Sequence, residues 1–434
     1  MPLKLLQMKN SMLYVMLLLI TITSACNTRS YNTRQTRATS SKDLVAPPGM
    51  IYVPAGNVTM GTPGQNGDST NMKKYRLSAF YMDKTSITNK QYRQFVYWVR
   101  DSIAITDYLN NKSYFQRMRT KDTSAKANIN WDKVGDGRSI WRSKNYKIID
   151  KLRPMYNQGD DNQSGNGELN KKILNFRYET SSADKSKSGY SVIKEVVNVW
   201  PDENVWDRDF PNSQNDLMVK SYFTNPSFDD YPVVGVTWKQ ARAFAAWRSK
   251  VWKAYNYKMK NPKLISLTMD LPTEAQRAYV SIPSVITNEV SIKDSVSKKK
   301  IKIKKVINPL QSGDSAFTYT MPVTYLPPNK FGLYNTVGNV SEWTLNTYTL
   351  SWEAFVHKIN PVLLYDAKDS DPETLKRKVI AGSSWKDQAT QNIPERQPEI
   401  QDEAKSYIGF RCVMPAPDFN PGKSNFKTIN KNSK

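Results

Sequence analysis

The sequence predicts a globular chain of mixed helices and strands with a large share of loop, and three observations carry that prediction. Its 434 residues include 24 Pro and 18 Gly, which punctuate the chain into many short elements rather than a long bundle. Eleven Trp and 24 Tyr supply the bulk for a sizeable core. Apolar residues recur with helical spacing in some segments and alternate in others. Length alone suggests two or three domains, although one irregular domain can run this long.

Residues 1–25 read as a leader. Lys4 and Lys9 form a basic start, and the apolar run Met12 to Ile22 covers 11 residues, too short for a comfortable membrane span. The run ends in "TSAC", small residues before Cys26, similar to a bacterial lipoprotein cleavage box except that Thr23 stands where Leu is commoner. Cleavage there makes Cys26 the lipidated first residue. Residues 26–46 are polar, carry Arg29, Arg34 and Arg37, and read as a tether reaching up to about 65 Å when extended.

From Pro47 the pattern becomes globular. "MIYVPAGNVTMG" alternates and ends in Gly, which predicts a strand pair with a turn at Ala55–Asn57. Three helix starts share one signal: Thr88–Gln91, Thr237–Gln240 and Thr273–Gln276 each place Gln three residues after Thr, a capping box. After the first, Tyr92, Phe95, Val96, Val99 and Ile103 fall on one face; after the second, Ala241, Phe244, Ala245 and Trp252 do. Both helices are expected to face the core. Residues 105–230 form a long polar and aromatic insertion, with a strand expected at 195–200. In "SKKKIKIKKVI" (297–307) Ile301 and Ile303 alternate with Lys302 and Lys304, a strand whose lysines suit an unpaired edge or a binding face. The tail, 415–434, is basic and expected to be mobile. No internal repeat is present.

The formal charge is +24, and the leader removes only Lys4 and Lys9, leaving +22 on the mature chain. That excess suits an acidic partner or an anionic envelope surface. Nucleic acid is the first thought for a basic cytoplasmic protein, and the leader argues against that compartment, so none is expected. With Cys26 acylated, Cys412 has no partner for a disulfide and reads as a buried apolar residue.

Several motifs fail on inspection. Asp160, Asn162, Ser164 and Gly165 sit at calcium-loop positions, but the twelfth position is Lys171 rather than a carboxylate. "GKS" at 422–424 lacks the upstream Gly of a phosphate loop. The one His, His357, rules out any multi-histidine metal centre and leaves a catalytic triad a single candidate base.

Four segments in order, "YPVVGVTWKQARAFAAWRSK" (231–250), "LPTEAQ" (271–276), "PPNKFGLYNTVGNVSEW" (327–343) and "AGSSWKD" (381–387) with "IGFRCVM" (408–414), resemble the formylglycine-generating-enzyme (sulfatase-modifying factor) family over roughly 47–414. That family's segments read PV..VSW.DA..YC.W, LPTEAEWE, NGYGLYN..GNVWEW and GGSW…GFR. The resemblance implies an irregular α+β domain related to C-type lectins, here with the insertion at about 105–230. It also implies a comparison of chemistry. The catalytic relatives hold copper(I) through two thiolates after GGS, and Asp387 and Asn392 stand at the matching places here. A sulfur-oxygenating branch uses three His, where this chain has one. Ala245 replaces the Cys of YC.W, so the disulfide to the Cys412 position is absent. No catalytic residue is therefore expected. The family's calcium site would map to the Asn335 side chain, the Gly338 and Val340 carbonyls and the Glu342 carboxylate. Calcium would be structural at most, and no cofactor is required.

A narrower resemblance lies in "FYMDKTSITNKQYRQFVYWVRDSIA" (80–104), "VNVWPDENVWDRDF" (197–210), residues 229–250 and "AGSSWKD". These are similar to the gliding-motility lipoprotein family GldK/PorK. It implies an outer-membrane lipoprotein facing the periplasm, without turnover, in a homo-oligomeric ring with a GldN/PorN-type partner of type IX secretion. Residues 388–407 depart from that family's aromatic and Arg-rich pattern. The other class of function this fold suggests is an envelope-glycan binder using exposed Trp and Tyr near 195–212. A third is an enzyme of unfamiliar chemistry centred on Lys386 and Asp387.

Overall fold

The computed structural model describes residues 46–61, 72–116, 128–134, 138–157, 167–184, 189–209, 211, 216–258, 267–281, 286–293, 300–307, 319–387 and 396–416. Residues 1–45, with Cys26, the segment with Asp160, Asn162, Ser164 and Gly165, Asn392 and residues 417–434 lie outside the described residues, so the expectations placed on them do too. The chain divides into two units, 1–46 and 47–434, and every described element lies in the second.

In chain order β1 (Met50–Val53), β2 (Gly56–Met60), β3 (Lys73–Leu77) and β4 (Phe80–Asp83) precede helix α1 (Asn89–Ile103). After short helical turns come β5 (Asn175–Asp184), β6 (Gly189–Asn198), α2 (Val205–Asp209), α3 (Asp216–Ser221), α4 (Trp238–Lys258) and α5 (Glu274–Val280). Then follow β7 (Ile286–Lys293), β8 (Lys300–Ile307), β9 (Ser341–Thr347), β10 (Arg377–Ala381), β11 (Gln397–Ile400), β12 (Ile408–Gly409) and β13 (Val413–Pro415). The sheets are small: β1-β4-β13, β11-β10-β9-β12, and the ribbons β2-β3, β5-β6 and β7-β8. The β9–β12 pair is parallel; the others are antiparallel.

All three Thr-x-x-Gln signals are capping boxes. Gln91, Gln240 and Gln276 each donate their backbone N–H to the Thr hydroxyl, at 3.2 Å in every case, and each side-chain oxygen accepts from the Thr N–H. The reciprocal bonds satisfy two donors that a helix start leaves free. The expected apolar faces are buried too. Tyr92 of α1 stacks on Phe244 of α4 at 5.7 Å, and Phe95 meets Trp247 at 5.3 Å. Ala241, Ala245 and Trp252 are buried along α4. Helix α1 runs into a π-helical turn closed by Asn110 at φ 41°, whose N–H returns to the Ile105 carbonyl.

One local expectation is corrected. "MIYVPAGNVTMG" does form two strands, but they do not pair with each other: Met50 faces Asp83 on β4, and Gly56 faces Leu77 on β3. Pro54 interrupts the run without an N–H to give. Val53 then packs with Phe80, Met82 and Val280, whereas Val58 packs with Tyr75, Leu77 and Trp352. Burial in two different clusters separates the strands.

Trp206 is buried in a cluster with Tyr222, Phe228 and Val340, and Trp200 is half-buried with its indole N–H on Glu203. The single histidine, His357, lies at the surface.

Candidate functional site

The polar centre of the domain is built from three distant segments. The Thr273 box fixes the start of α5, and Arg277 follows one turn on in its last turn, its N–H on the Thr273 carbonyl. Strand β9 carries Glu342, and Arg411 follows β12. None of the three side chains reaches solvent beyond 1%. Glu342 Oε2 accepts from Arg277 Nε at 2.7 Å and from Arg411 Nε at 2.8 Å. Its Oε1 accepts from Arg411 Nη2 at 2.8 Å and from the Ser86 hydroxyl at 2.6 Å. Burial pushes this carboxyl up, and the two guanidiniums outweigh burial, holding it at about 2. Burial lowers the Arg277 pKa, opposed by Glu342 and helped by Arg411.

The guanidiniums also hold backbone. Arg277 Nη1 donates to the Thr336 carbonyl at 3.0 Å and to the Ser281 hydroxyl at 3.1 Å. Arg411 donates to the carbonyls of Tyr334 (3.0 Å) and Asp83 (3.2 Å). The loop between them is laced by Asn side chains. Asn329 Oδ1 accepts from the N–H groups of Phe331 and Leu333, and its amide donates to the Val280 carbonyl. Asn339, at φ 67°, exchanges two bonds with Met321. Asn335, at φ 46°, donates to the Val323 carbonyl at 3.0 Å.

The structure thus brings Asn335, Gly338 and Val340 of the loop beside Glu342 at the start of β9, and that set does not fit calcium. A calcium ion takes six to eight oxygens. Glu342, its only charged member, is committed to two guanidiniums and a hydroxyl. Asn335 Oδ1 is buried without a hydrogen-bond partner. Among the described residues there is no group of three or more His, Cys, Asp or Glu able to hold a metal ion.

Residues 381–387 wrap the same loop. Gly382 turns at φ 83°, and its carbonyl accepts from the Ser341 hydroxyl. The Asp387 carboxylate accepts from the Ser384 N–H at 2.7 Å and hydroxyl at 2.8 Å, closing a turn. Trp385 stacks on Trp206 at 5.6 Å, and the Lys386 ammonium lies 4.1 Å above the Tyr407 ring. Asp387 and Lys386 are neighbours, yet each is occupied in holding a turn or a ring. Cys412 is buried and free, and burial pushes its thiol up; its N–H donates to Asp83.

A second buried cluster escaped sequence reasoning. Arg242 donates to Asp270 and Asp366 and lies over Trp238. Lys378, wholly buried, lies 4.2 Å over the same ring and donates to the Tyr365 carbonyl. Its burial outweighs the attraction of Asp366 and lowers its pKa to about 7. A Lys directly after Arg377 reads as solvent-facing, so no local signal marked it. For Arg277 a signal existed: it stands where the LPTEAEWE segment has Trp.

The capped helices, the small sheets and the loop closed on Glu342 define an α+β domain of the formylglycine-generating-enzyme type. Residues 35–416 match the sulfatase-modifying factor enzyme 1-like domain, and the chain belongs to that family. The inactive C-alpha-formylglycine-generating enzyme 2 of Bos taurus is 27% identical over 197 residues, covering 43% of this chain and 51% of that protein. The formylglycine-generating enzyme of Thermomonospora curvata is 26% identical over 195 residues, 42% of this chain and 55% of that one. The matched region spans about half the length of these relatives, which include both an enzyme and a protein named inactive. PvdO from Pseudomonas aeruginosa aligns with 85% of this chain and 94% of its own at 15% identity, TM-score 0.39.

Proposed function

We propose that this chain is a non-catalytic, lipid-anchored outer-membrane protein that builds a periplasmic ring of the type IX secretion and gliding-motility machinery, in the manner of the GldK/PorK family it resembles. In this reading Cys26 carries the lipid, the tether spans to the domain, and a GldN/PorN-type protein is the partner. A closed ring of one subunit needs heterologous interfaces, two different faces that meet their neighbours' complements.

The observation that carries the non-catalytic part is chemical. The chain has two cysteines and one histidine. Cys26 sits in the lipid box, Cys412 is buried beside Asp83, and His357 is at the surface. Copper(I) wants soft thiolates, and no pair of them exists to bind it. Asp387, near the matching position, is spent on Ser384.

Gentle detergent extraction of native outer membrane, size fractionation and mass spectrometry test the reading. A very large particle holding this chain with one stoichiometric periplasmic partner is expected, and Cys26→Ser is expected to release the chain from the membrane. Elution of a free monomer bound to envelope glycan would replace the ring with the glycan-binding reading.

A further inference from the structure

We infer that Arg277 is a built-in cation that holds the 329–342 loop in place of a metal ion, so that this domain folds and stands without calcium.

A hard cation in a loop draws together a carboxylate and backbone carbonyls. Arg277 does the same from a side chain: Nε takes Glu342 at 2.7 Å and Nη1 takes the Thr336 carbonyl at 3.0 Å. Its planar fork makes both bonds at fixed geometry. Helix α5, capped by Thr273, holds the Arg277 backbone in place one turn from its start.

The surroundings are shaped around it. A Cβ on Gly382 would meet Arg277 Nη2 at 3.0 Å, and Gly382 also turns at φ +83°. Glycine there leaves the guanidinium its room and permits the left-handed backbone. Charge points the same way. Arg277 and Arg411 against one Glu342 already leave the buried centre with an excess positive charge. A dication bonded to the same carboxylate would lie against both guanidiniums. Asn335 Oδ1 is the single counter-indication, a buried amide oxygen without a donor, and it supplies the control.

The test uses the purified mature chain. Thermal unfolding is followed in EGTA and in millimolar calcium, with calcium binding measured by equilibrium dialysis. The expected result is no stoichiometric calcium and a Tm shift below about 1 °C, where a micromolar site would add several degrees. In EGTA, Arg277→Met is expected to lower Tm by about 3–6 °C, because a buried ion pair loses one member. A calcium-dependent rise in wild type that Asn335→Ala abolishes would overturn the inference. So would an Arg277→Met chain as stable as wild type. If that variant does not fold, the wild-type titration still decides.

Discussion

Arg277 Nε and Glu342 Oε2 lie 2.7 Å apart with neither side chain open to water. The pair joins helix α5 to strand β9, and Arg411 ties the same carboxylate to the link between β12 and β13. Three segments far apart in sequence therefore meet on one pair of oxygens.

Removing the charge of Glu342 should unbalance this centre. Glu342→Gln leaves two buried guanidiniums facing an amide, and breaking such a cluster costs about 3–5 kcal/mol. Urea unfolding of the variant measures it. The pH dependence has a definite sign. The carboxyl is held near 2 when folded against an ordinary 4.5, so its contribution is complete above about pH 4.5 and is lost as pH falls toward 2. That acid-side loss of stability should be shallower in Glu342→Gln.

Lys378 predicts a rise in stability at the other end of the scale. Its pKa falls from 10.5 to about 7 on folding, so between those values the unfolded chain binds the extra proton. Stability then rises with pH from about 7 to 10.5. Asp366, Asp402, Arg242 and Lys239 act on the same group and set its starting point. Lys378→Met should remove this rise and leave stability at pH 7 unchanged or higher. Thermal melts of both chains across pH 7–10 compare them.

How much of this was legible depends on distance along the chain. The capping boxes and the faces of α1 and α4 were readable because their partners lie three or four residues away. The pairing of β1 and β2 was not, because strand partners are chosen by burial, and Val53 and Val58 found different cores. Glu342 was singled out by its motif, while its guanidinium partners stand 65 and 69 residues distant and only folding names them. Lys378 was invisible for the same reason: the cover over it comes from Trp238 and from the Tyr365 carbonyl.

The caps should differ in worth. Replacing a Thr N-cap by Ala costs about 1 kcal/mol. Thr88→Ala is expected to lose about that much. Thr273→Ala should lose more, about 2 kcal/mol, since loosening the first turn of α5 also displaces Arg277 from Glu342. Denaturant midpoints of the two variants give the order.

The 381–387 segment separates a structural from a catalytic reading of its residues. Trp385 stacks on Trp206 and meets Tyr319 edge-on at 5.1 Å, so Trp385→Ala should cost about 3 kcal/mol. Asp387 closes one turn through Ser384, so Asp387→Ala should cost about 1 kcal/mol. If the segment works by packing, assembly follows stability. Asp387→Ala then yields the wild-type extracted particle, and Trp385→Ala yields less of it. A catalytic Asp387 predicts the same particle from Asp387→Ala but no function in it. Particle yield measured beside a secretion assay in the two strains distinguishes them, and the geometry around Ser384 favours packing because both bonds to that carboxylate stay within the turn.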